Sequence, residues 1–250
     1  YRSRNHTELF LKYLNYPIKI KKNKNYDMIE MDGLHQFKSF EYIVPGDISS
    51  ASFFIVLTLL SRKSEILIKE VNLNSTRTGI LQILNKMNAY IKITNKKIYK
   101  GELLGDIKVK STKNFKSINC PVNLNSSSID EFLLIFLIAA KSKGISSFKN
   151  LEELNKKESP RLDIAIKFLN MIGIKVIRKK NDVKIFGNPK LELKKNYHIK
   201  NFLKDHRIFM MSVIAALTLG GTWKINDKDS VKSSFPTFLN VVKMLGGKVN

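Results

Sequence analysis

The 250-residue chain holds a single cysteine, Cys120. One thiol excludes a disulfide framework and a multi-cysteine zinc site, and it fits a reducing compartment. Long apolar runs are missing as well. The longest, Ile208 to Leu219, is broken by Ser212 and Thr218 and falls short of the roughly 17 to 25 residues that span a bilayer, so no transmembrane segment is expected. Glycine-rich phosphate loops of the P-loop or dinucleotide-binding type are absent. The histidines His6, His35, His198 and His206 show no metal-ligand spacing, and no bound metal is expected. Acidic residues are few, 21 against 44 Lys plus Arg, which leaves a formal charge of +23. Within that excess arginine is scarce, with only seven residues, so the position of each one carries information. The chain opens on Tyr1 rather than Met, and Arg2 to Glu8 reads as the interior of something longer and not as a signal peptide.

What is present is a core-forming sequence. A hydrophobic content of 43% over 28.7 kDa can fill one large domain or two small ones and excludes a disordered chain. A pI near 9.9 invites a nucleic-acid reading, because cations that neutralise phosphates release counterions. The distribution argues against it: Lys runs evenly from Lys12 to Lys248, mixed with Asn and Ile, without a dense block or interleaved aromatics. A Lys-rich solvated surface comes first among the readings of this charge, small anionic substrates second, and nucleic acid last.

The chain repeats itself. Leu14–Ile20, Met87–Ile93, Met171–Ile177 and Met244–Asn250 align without gaps as helix end, small residue and short strand. Upstream of the last three stands a more apolar helix and then a strand: Ser49 to Leu60 then Glu65 to Val71, Ile129 to Ala140 then Ile145 to Phe148, and His206 to Leu219 then Thr222 to Ile225. Phe53–Leu57 and Phe132–Leu137 are apolar on every face, which requires enclosure, whereas Leu162 to Met171 is amphipathic. Each unit therefore reads as strand, helix, strand, helix, strand, strand. Residues 45–250 are expected to form one α/β domain of three such βαβαββ units, and residues 1–44 the remnant of a similar preceding domain and the crossover, with the link at Glu41–Asp47, where Pro45 and Gly46 fit a domain junction.

Four of the seven arginines break a local rule. Thr76-Arg77-Thr78-Gly79, Glu158-Ser159-Pro160-Arg161 and Asp205-His206-Arg207 each set a capping-type residue and a cation where a helix should begin, and Arg4 stands beside His6-Thr7-Glu8. Lys232-Ser233-Ser234-Phe235-Pro236 repeats the pattern with lysine. A helix N-terminus already carries partial positive charge, so a misplaced cation costs on the order of 0.3 to 1 kcal/mol unless an anion joins it. A planar guanidinium beside free helix amides is what carboxylate and phosphate recognition needs. The plainer reading of any one of these is a structural ion pair with Asp205 or Glu158; repetition favours function. Asp130 and Glu158 are candidates for proton transfer, with an N-cap and a surface pair as their respective plainer roles. His206 is a candidate acid, base or orienting group, and Cys120, followed by Pro121 in a polar loop, reads as inert.

Taken in order, Ser3-Arg4-Asn5-His6-Thr7-Glu8, Val44–Ala51, Asn74–Gly79, Ile129-Asp130-Glu131, Leu151–Leu154 with Lys157–Leu162, Asp205-His206-Arg207 and Ser234-Phe235-Pro236 resemble the C-terminal part of the 5-enolpyruvylshikimate 3-phosphate (EPSP) synthases, in particular their class II bacterial form. The resemblance covers essentially the whole chain. It implies an enolpyruvyltransferase-type fold of two similar domains, each with three βαβαββ units around buried parallel helices whose N-termini face a cleft. It implies a carboxyvinyl transfer from phosphoenolpyruvate to the 5-hydroxyl of shikimate 3-phosphate without a cofactor, in a cytoplasmic enzyme that is monomeric at full length and engages neither nucleic acid nor membrane.

By the same resemblance Asp130 is similar to the acid that contacts the shikimate hydroxyl, and Lys157 to the lysine near it. Glu158 resembles the acid of proton transfer at C3, and Arg161 and Arg207 the pair that grips the phosphoenolpyruvate carboxylate. Arg4 resembles the class II arginine near the phosphate of shikimate 3-phosphate, and His206 a further substrate-binding residue. Pro160 departs from the Asp usual at its position, and Lys232 stands one residue from the lysine of some members. The family's N-terminal Lys-Ser motif is not in these 250 residues, so the chain by itself is expected to be inactive. Two alternatives stand beside this reading: the sister family that acts on UDP-N-acetylglucosamine, disfavoured by the context of Cys120, and a non-catalytic nucleic-acid-binding module on the same repeat.

Overall fold

Enclosure of the three apolar helices organises the rest of the molecule. The computed structural model describes residues 4–24 and 26–249; Ser3 of the first motif and Asn250 of the last repeat lie outside the described residues. An N-terminal segment carries α1 (His6–Tyr13) and the antiparallel pair β1 (Ile18–Lys22) and β2 (Asp27–Met31). The first repeat holds α2 (Ile48–Leu60), β3 (Glu65–Asn72), α3 (Gly79–Lys86), β4 (Tyr90–Tyr99) and β5 (Glu102–Lys110). The second holds α4 (Phe132–Lys141), β6 (Gly144–Phe148), α5 (Arg161–Met171), β7 (Val176–Lys179) and β8 (Asp182–Gly187). The third holds β9 (Leu193–Ile199), α6 (His206–Leu219), β10 (Gly220–Ile225) and α7 (Phe238–Met244).

The repetition is visible in the pairing. Sheets β3-β5-β4 and β6-β8-β7 share one antiparallel order, with the last strand of the unit in the middle. The strand after each apolar helix also lies parallel to the chain before that helix. Gly46 bridges Val71, Lys116 and Asn119 bridge Lys143 and Ser147, and β9 pairs with β10 along its length. A parallel connection needs a crossover, and α2, α4 and α6 supply it.

Those three helices pack on one another and are covered by their sheets. Every residue of α4 from Phe132 to Ala140 is buried, which accounts for a stretch with no polar face. Each fully buried Leu, Ile or Phe contributes about 1.5 to 3 kcal/mol, so this triple is the main source of cohesion. The few hydroxyls inside it are satisfied locally: Ser52 donates to the Ile48 carbonyl at 2.7 Å and Ser212 to that of Ile208 at 2.8 Å. No desolvated oxygen is left unpaired there, and the small side chains let the helices approach. Helix α6 stops at Gly220, whose φ of +86° suits glycine and whose missing Cβ would stand 2.7 Å from the Leu193 carbonyl oxygen of β9.

Two local expectations differ from the structure. Residues 126–131 form a 3-10 turn, so the α-helix begins at Phe132 and not at Ile129. The turn sets Asp130 and Glu131 on different partners, and Asp130 is not the N-cap. The strand expected at the end of the third repeat is not formed through Val249. Its counterparts β4 and β7 draw their ladder bonds from β5 and β8, and no described strand pairs with residues 245–249.

The N-terminal segment is tied to the first repeat by a polar knot. His6 Nδ1 meets Glu102 Oε1 at 2.5 Å, and Asn74 Nδ2 donates to Glu102 Oε2 at 3.1 Å and to Asn5 Oδ1 at 2.8 Å. Phe10 adds edge contacts to Phe40 and Tyr42. This anchorage fixes the end of α1 that carries Arg4.

Candidate functional site

The N-termini of α2, α4 and α6 converge. Ser49 of α2 donates to Glu131 at the start of α4 at 2.5 Å, and Arg207 of α6 donates to the Asp130 carbonyl at 3.1 Å. The positive ends of three buried helices thus meet at one rim, which favours negative charge there by a few tenths to about 1 kcal/mol per helix. The sequence answers with acids. Asp47 caps α2 by accepting from the Ser50 amide at 2.8 Å, and Asp205 caps α6 by accepting from the Arg207 amide at 2.9 Å.

Asp130 is the hub. Its Oδ2 accepts from Arg4 Nη2 at 2.5 Å, and its Oδ1 lies 3.4 Å from Arg161 Nη1 and 3.7 Å from Lys157 Nζ. Burial pushes its pKa up, but the cations Arg207, Lys157, Arg4 and Arg161 outweigh burial and hold the carboxyl below the usual range. Asp130 is therefore an anion at neutral pH. Arg161 is 1% exposed and wholly occupied by carboxylates: Nε donates to Asp205 at 2.8 Å, Nη2 to Glu158, and Nη1 faces Asp130. Glu158 is the exposed partner of that set, with its side chain 57% accessible. Lys157 reaches Glu153 at 3.3 Å on its other side.

The structure thus brings Arg4, Asp130, Lys157, Glu158, Arg161 and Arg207 to one rim. His206 stands half-buried beside them at the α6 start; burial and then the charge of Arg207 hold its pKa below the ordinary imidazole range, so it is neutral at pH 7. Lys232 is elsewhere, in an exposed pair with Asp229 at 2.8 Å. Cys120 lies in the loop after β5 but is buried there, and desolvation pushes its thiol up to about 11, which removes the thiolate at neutral pH.

Arg77, which the sequence singled out before α3, joins the rim indirectly, through Asp47 at 3.1 Å and Ser49 at 2.7 Å. Other participants escaped the sequence reading. Gly79 lets this loop sit against the 126–131 turn, since a Cβ there would meet the Ser127 backbone at 2.9 Å. Ser159 does not cap α5 but donates to Asp205 at 2.8 Å. The capping is done from a distance by Asn155, whose Oδ1 accepts from the Leu162 and Asp163 amides at 3.0 and 3.3 Å. Glu131, 2% exposed, was quoted only as part of a motif. Its signal was an acid directly preceding a run that must be enclosed. Among the described residues no group of His, Cys, Asp and Glu is arranged to hold a metal ion.

Fold and rim together define an anion-handling α/β domain built by repetition of one unit, with its charged groups at the shared N-terminal end of three enclosed helices. The family model described as EPSP synthase (3-phosphoshikimate 1-carboxyvinyltransferase) matches residues 1–242, and the chain belongs to that family. The 3-phosphoshikimate 1-carboxyvinyltransferase of Ruthia magnifica is 36% identical over 252 residues, covering 99% of this chain and 55% of that protein. The Thermodesulfovibrio yellowstonii protein of the same name is 37% identical over 245 residues, with 98% and 55% covered. An EPSP synthase structure from Acinetobacter baumannii superposes with a TM-score of 0.89 at 30% identity, over 100% of this chain and 56% of the other. The enolpyruvyl transferase NikO from Streptomyces tendae, at 12% identity and a TM-score of 0.68 over 96% and 52%, shares the fold. The chain spans about half the length of the relatives it matches.

Proposed function

We propose that this chain works as the C-terminal half of a 3-phosphoshikimate 1-carboxyvinyltransferase. The reaction moves the enolpyruvyl group of phosphoenolpyruvate onto the 5-hydroxyl of shikimate 3-phosphate and releases phosphate, a step toward chorismate and the aromatic amino acids. The observation that carries the reading is Asp130, an ionised carboxylate gripped by Arg4, Lys157 and Arg161 at a rim where cations and carboxyls alternate.

Two polyanionic substrates repel each other, and fixed cations that offset this repulsion let orientation lower the barrier. Arg207 and Arg161 receive the phosphoenolpyruvate carboxylate, which takes the place of the exposed Glu158 on the Arg161 guanidinium. Arg4, half exposed, turns from Asp130 to the phosphate of shikimate 3-phosphate. As these anions draw cations away from Asp130, its proton affinity rises toward that of an ordinary carboxylate. It then accepts the proton of the 5-hydroxyl as the oxygen adds to C2, while Lys157 holds the hydroxyl in place. Glu158, released from Arg161, delivers a proton to C3, which completes a tetrahedral adduct; Glu158 then takes a proton back from C3 as the C2–O bond to phosphate breaks, and the proton held by Asp130 leaves with the phosphate. Neutral His206 orients the ligand without adding charge. No cofactor takes part.

No helix among the described residues is long and apolar enough to cross a membrane. As half of an EPSP synthase, the chain is proposed to work in a cytoplasmic monomer on small molecules, engaging neither membrane nor nucleic acid. Calorimetric titration of the 250-residue chain with shikimate 3-phosphate, phosphoenolpyruvate and random-sequence DNA tests the reading. Binding of the two small anions, with that of phosphoenolpyruvate lost in Arg207→Ala, is expected. Salt-dependent DNA binding without either small anion would transfer the chain to the nucleic-acid alternative.

A further inference from the structure

Behind the substrate-facing cations lies a second, enclosed layer. Glu131 is 2% exposed and sits where the three helix N-termini meet. Its Oε1 accepts from Ser49 Oγ at 2.5 Å and lies 3.9 Å from Arg207 Nη1. Ser49, itself 1% exposed, accepts from Arg77 Nη2 at 2.7 Å, so a continuous chain runs Arg77, Ser49, Glu131, Arg207 across all three repeats. We propose that Glu131 is a positioning residue for the reaction, one that holds Arg207 from behind and, by keeping or releasing a proton, sets how much of that guanidinium's charge is left for an incoming carboxylate.

The geometry makes the competition direct. An ionised Glu131 is a fixed counter-charge to Arg207 inside a desolvated pocket, where water does not screen it. A carboxylate arriving on the open side of Arg207 then meets a cation already half-neutralised, and a second anion behind it. A protonated Glu131 removes that opposition and still fills the same space. The groups that face it decide its state. Arg207 from α6 and Arg77 from the loop before α3 favour the anion, as does the Ser49 hydrogen bond from α2; Asp130, its neighbour in the turn, opposes it. Asp47 and Asp205 stand one contact further out, on Arg77 and at the α6 cap, and temper both arginines. Burial is the strongest influence and pushes the carboxyl up to about 7. Its proton is thus exchanged around neutral pH. By linkage, a ligand carboxylate on Arg207 draws a proton onto Glu131.

This inference rests on the assignment of Arg207 to the phosphoenolpyruvate carboxylate, and two measurements separate the two claims. The first needs no ligand: the Glu131 carboxyl carbon and the Arg207 guanidinium nitrogens of the 250-residue chain are followed by NMR against pH. Both should move together with a midpoint near 7, the Arg207 signal should be flat in Glu131→Gln, and the midpoint should rise in Ser49→Ala, which also serves if Glu131→Gln does not fold. A Glu131 midpoint in the ordinary carboxylate range, or an Arg207 signal indifferent to it, overturns the inference. The second is phosphoenolpyruvate affinity from pH 6 to 8.5. A coupling of about one pKa unit makes wild-type binding roughly tenfold weaker at the alkaline end relative to Glu131→Gln, a comparison in which the ligand's own titration cancels. Equal profiles for the two overturn the inference. Concerted titration with no phosphoenolpyruvate binding at any pH upholds the Glu131 and Arg207 coupling and rejects the substrate assignment instead.

Discussion

Asp205 holds two arginines at once: its Oδ2 accepts from the Arg161 side chain at 2.8 Å while its Oδ1 accepts from the Arg207 amide at 2.9 Å. One buried carboxylate thereby caps α6, neutralises the start of α5 and ties the second repeat to the third. The misplaced charge of Arg161 at a helix N-terminus is offset from inside the protein. The same contact explains why an arginine as buried as this one persists, since its charge is paired on every side.

Removing the carboxylate should therefore do more than remove a cap. Asp205→Ala takes the carboxylate from Nε of the buried Arg161, leaving only Glu158 and Asp130 on its other nitrogens, and a broken buried pair typically costs about 3 to 5 kcal/mol. A urea titration of the variant should show the midpoint moved down accordingly. Asp205→Asn keeps the cap but not the charge and should fall in between.

Stability should depend on pH in two opposite ways. The Asp130 and Asp205 carboxyls are held below their ordinary values, in each case against burial, by the arginines around them. Their stabilisation is complete above about pH 4 and is lost as pH falls through their folded-state pKa values. Glu131 works the other way. The folded chain keeps its proton up to about 7 while the unfolded chain releases it near 4.5, so stability declines as pH rises between the two, by roughly 3 kcal/mol for a shift of this size. Unfolding free energies measured from pH 3 to 8 should therefore pass through a maximum, and the decline on its alkaline side should flatten in Glu131→Gln.

In a catalytically competent enzyme carrying these residues, Glu158→Gln should lower kcat far more than it weakens binding. General acid catalysis contributes typically about 10² to 10⁴ in rate. Arg207→Ala should chiefly raise the KM for phosphoenolpyruvate, because a carboxylate clamp binds ground and transition states nearly alike. Steady-state kinetics with each substrate varied decides between these roles. A near-normal kcat with a sharply raised KM in Glu158→Gln would mark Glu158 as a partner that positions Arg161 or Lys157.

The 250-residue chain alone should not turn over its two substrates. On the proposed function its rim is one wall of a cleft, and completing the catalytic constellation by closure requires the other. A phosphate-release assay on the purified chain should give no steady rate, whereas weak anion binding should survive.

Much of this architecture was legible in the sequence because enclosure leaves a compositional trace. Phe53–Leu57 and Phe132–Leu137 have no polar face, so their burial followed from the hydrophobic effect alone, and the recurrence of a helix, a small residue and a strand gave the unit its order. Arg4, Arg161 and Arg207 stood out because guanidinium groups at helix starts are unfavourable without a nearby anion. What the sequence could not supply was the identity of that anion. Glu131 and Ser49 are 82 residues apart, Arg161 and Asp205 are 44 apart, and Arg4 and Asp130 are 126 apart. These pairs exist because three parallel helices bring their N-termini to one point. Charge and propensity are properties of a residue and its near neighbours, so the sequence by itself determined which elements form and where the unusual cations lie. Desolvation and long-range pairing depend on which helix ends meet, and only the tertiary structure decided that Asp130 is an anion, that Glu131 keeps its proton up to about pH 7, and that Arg161 is fully matched.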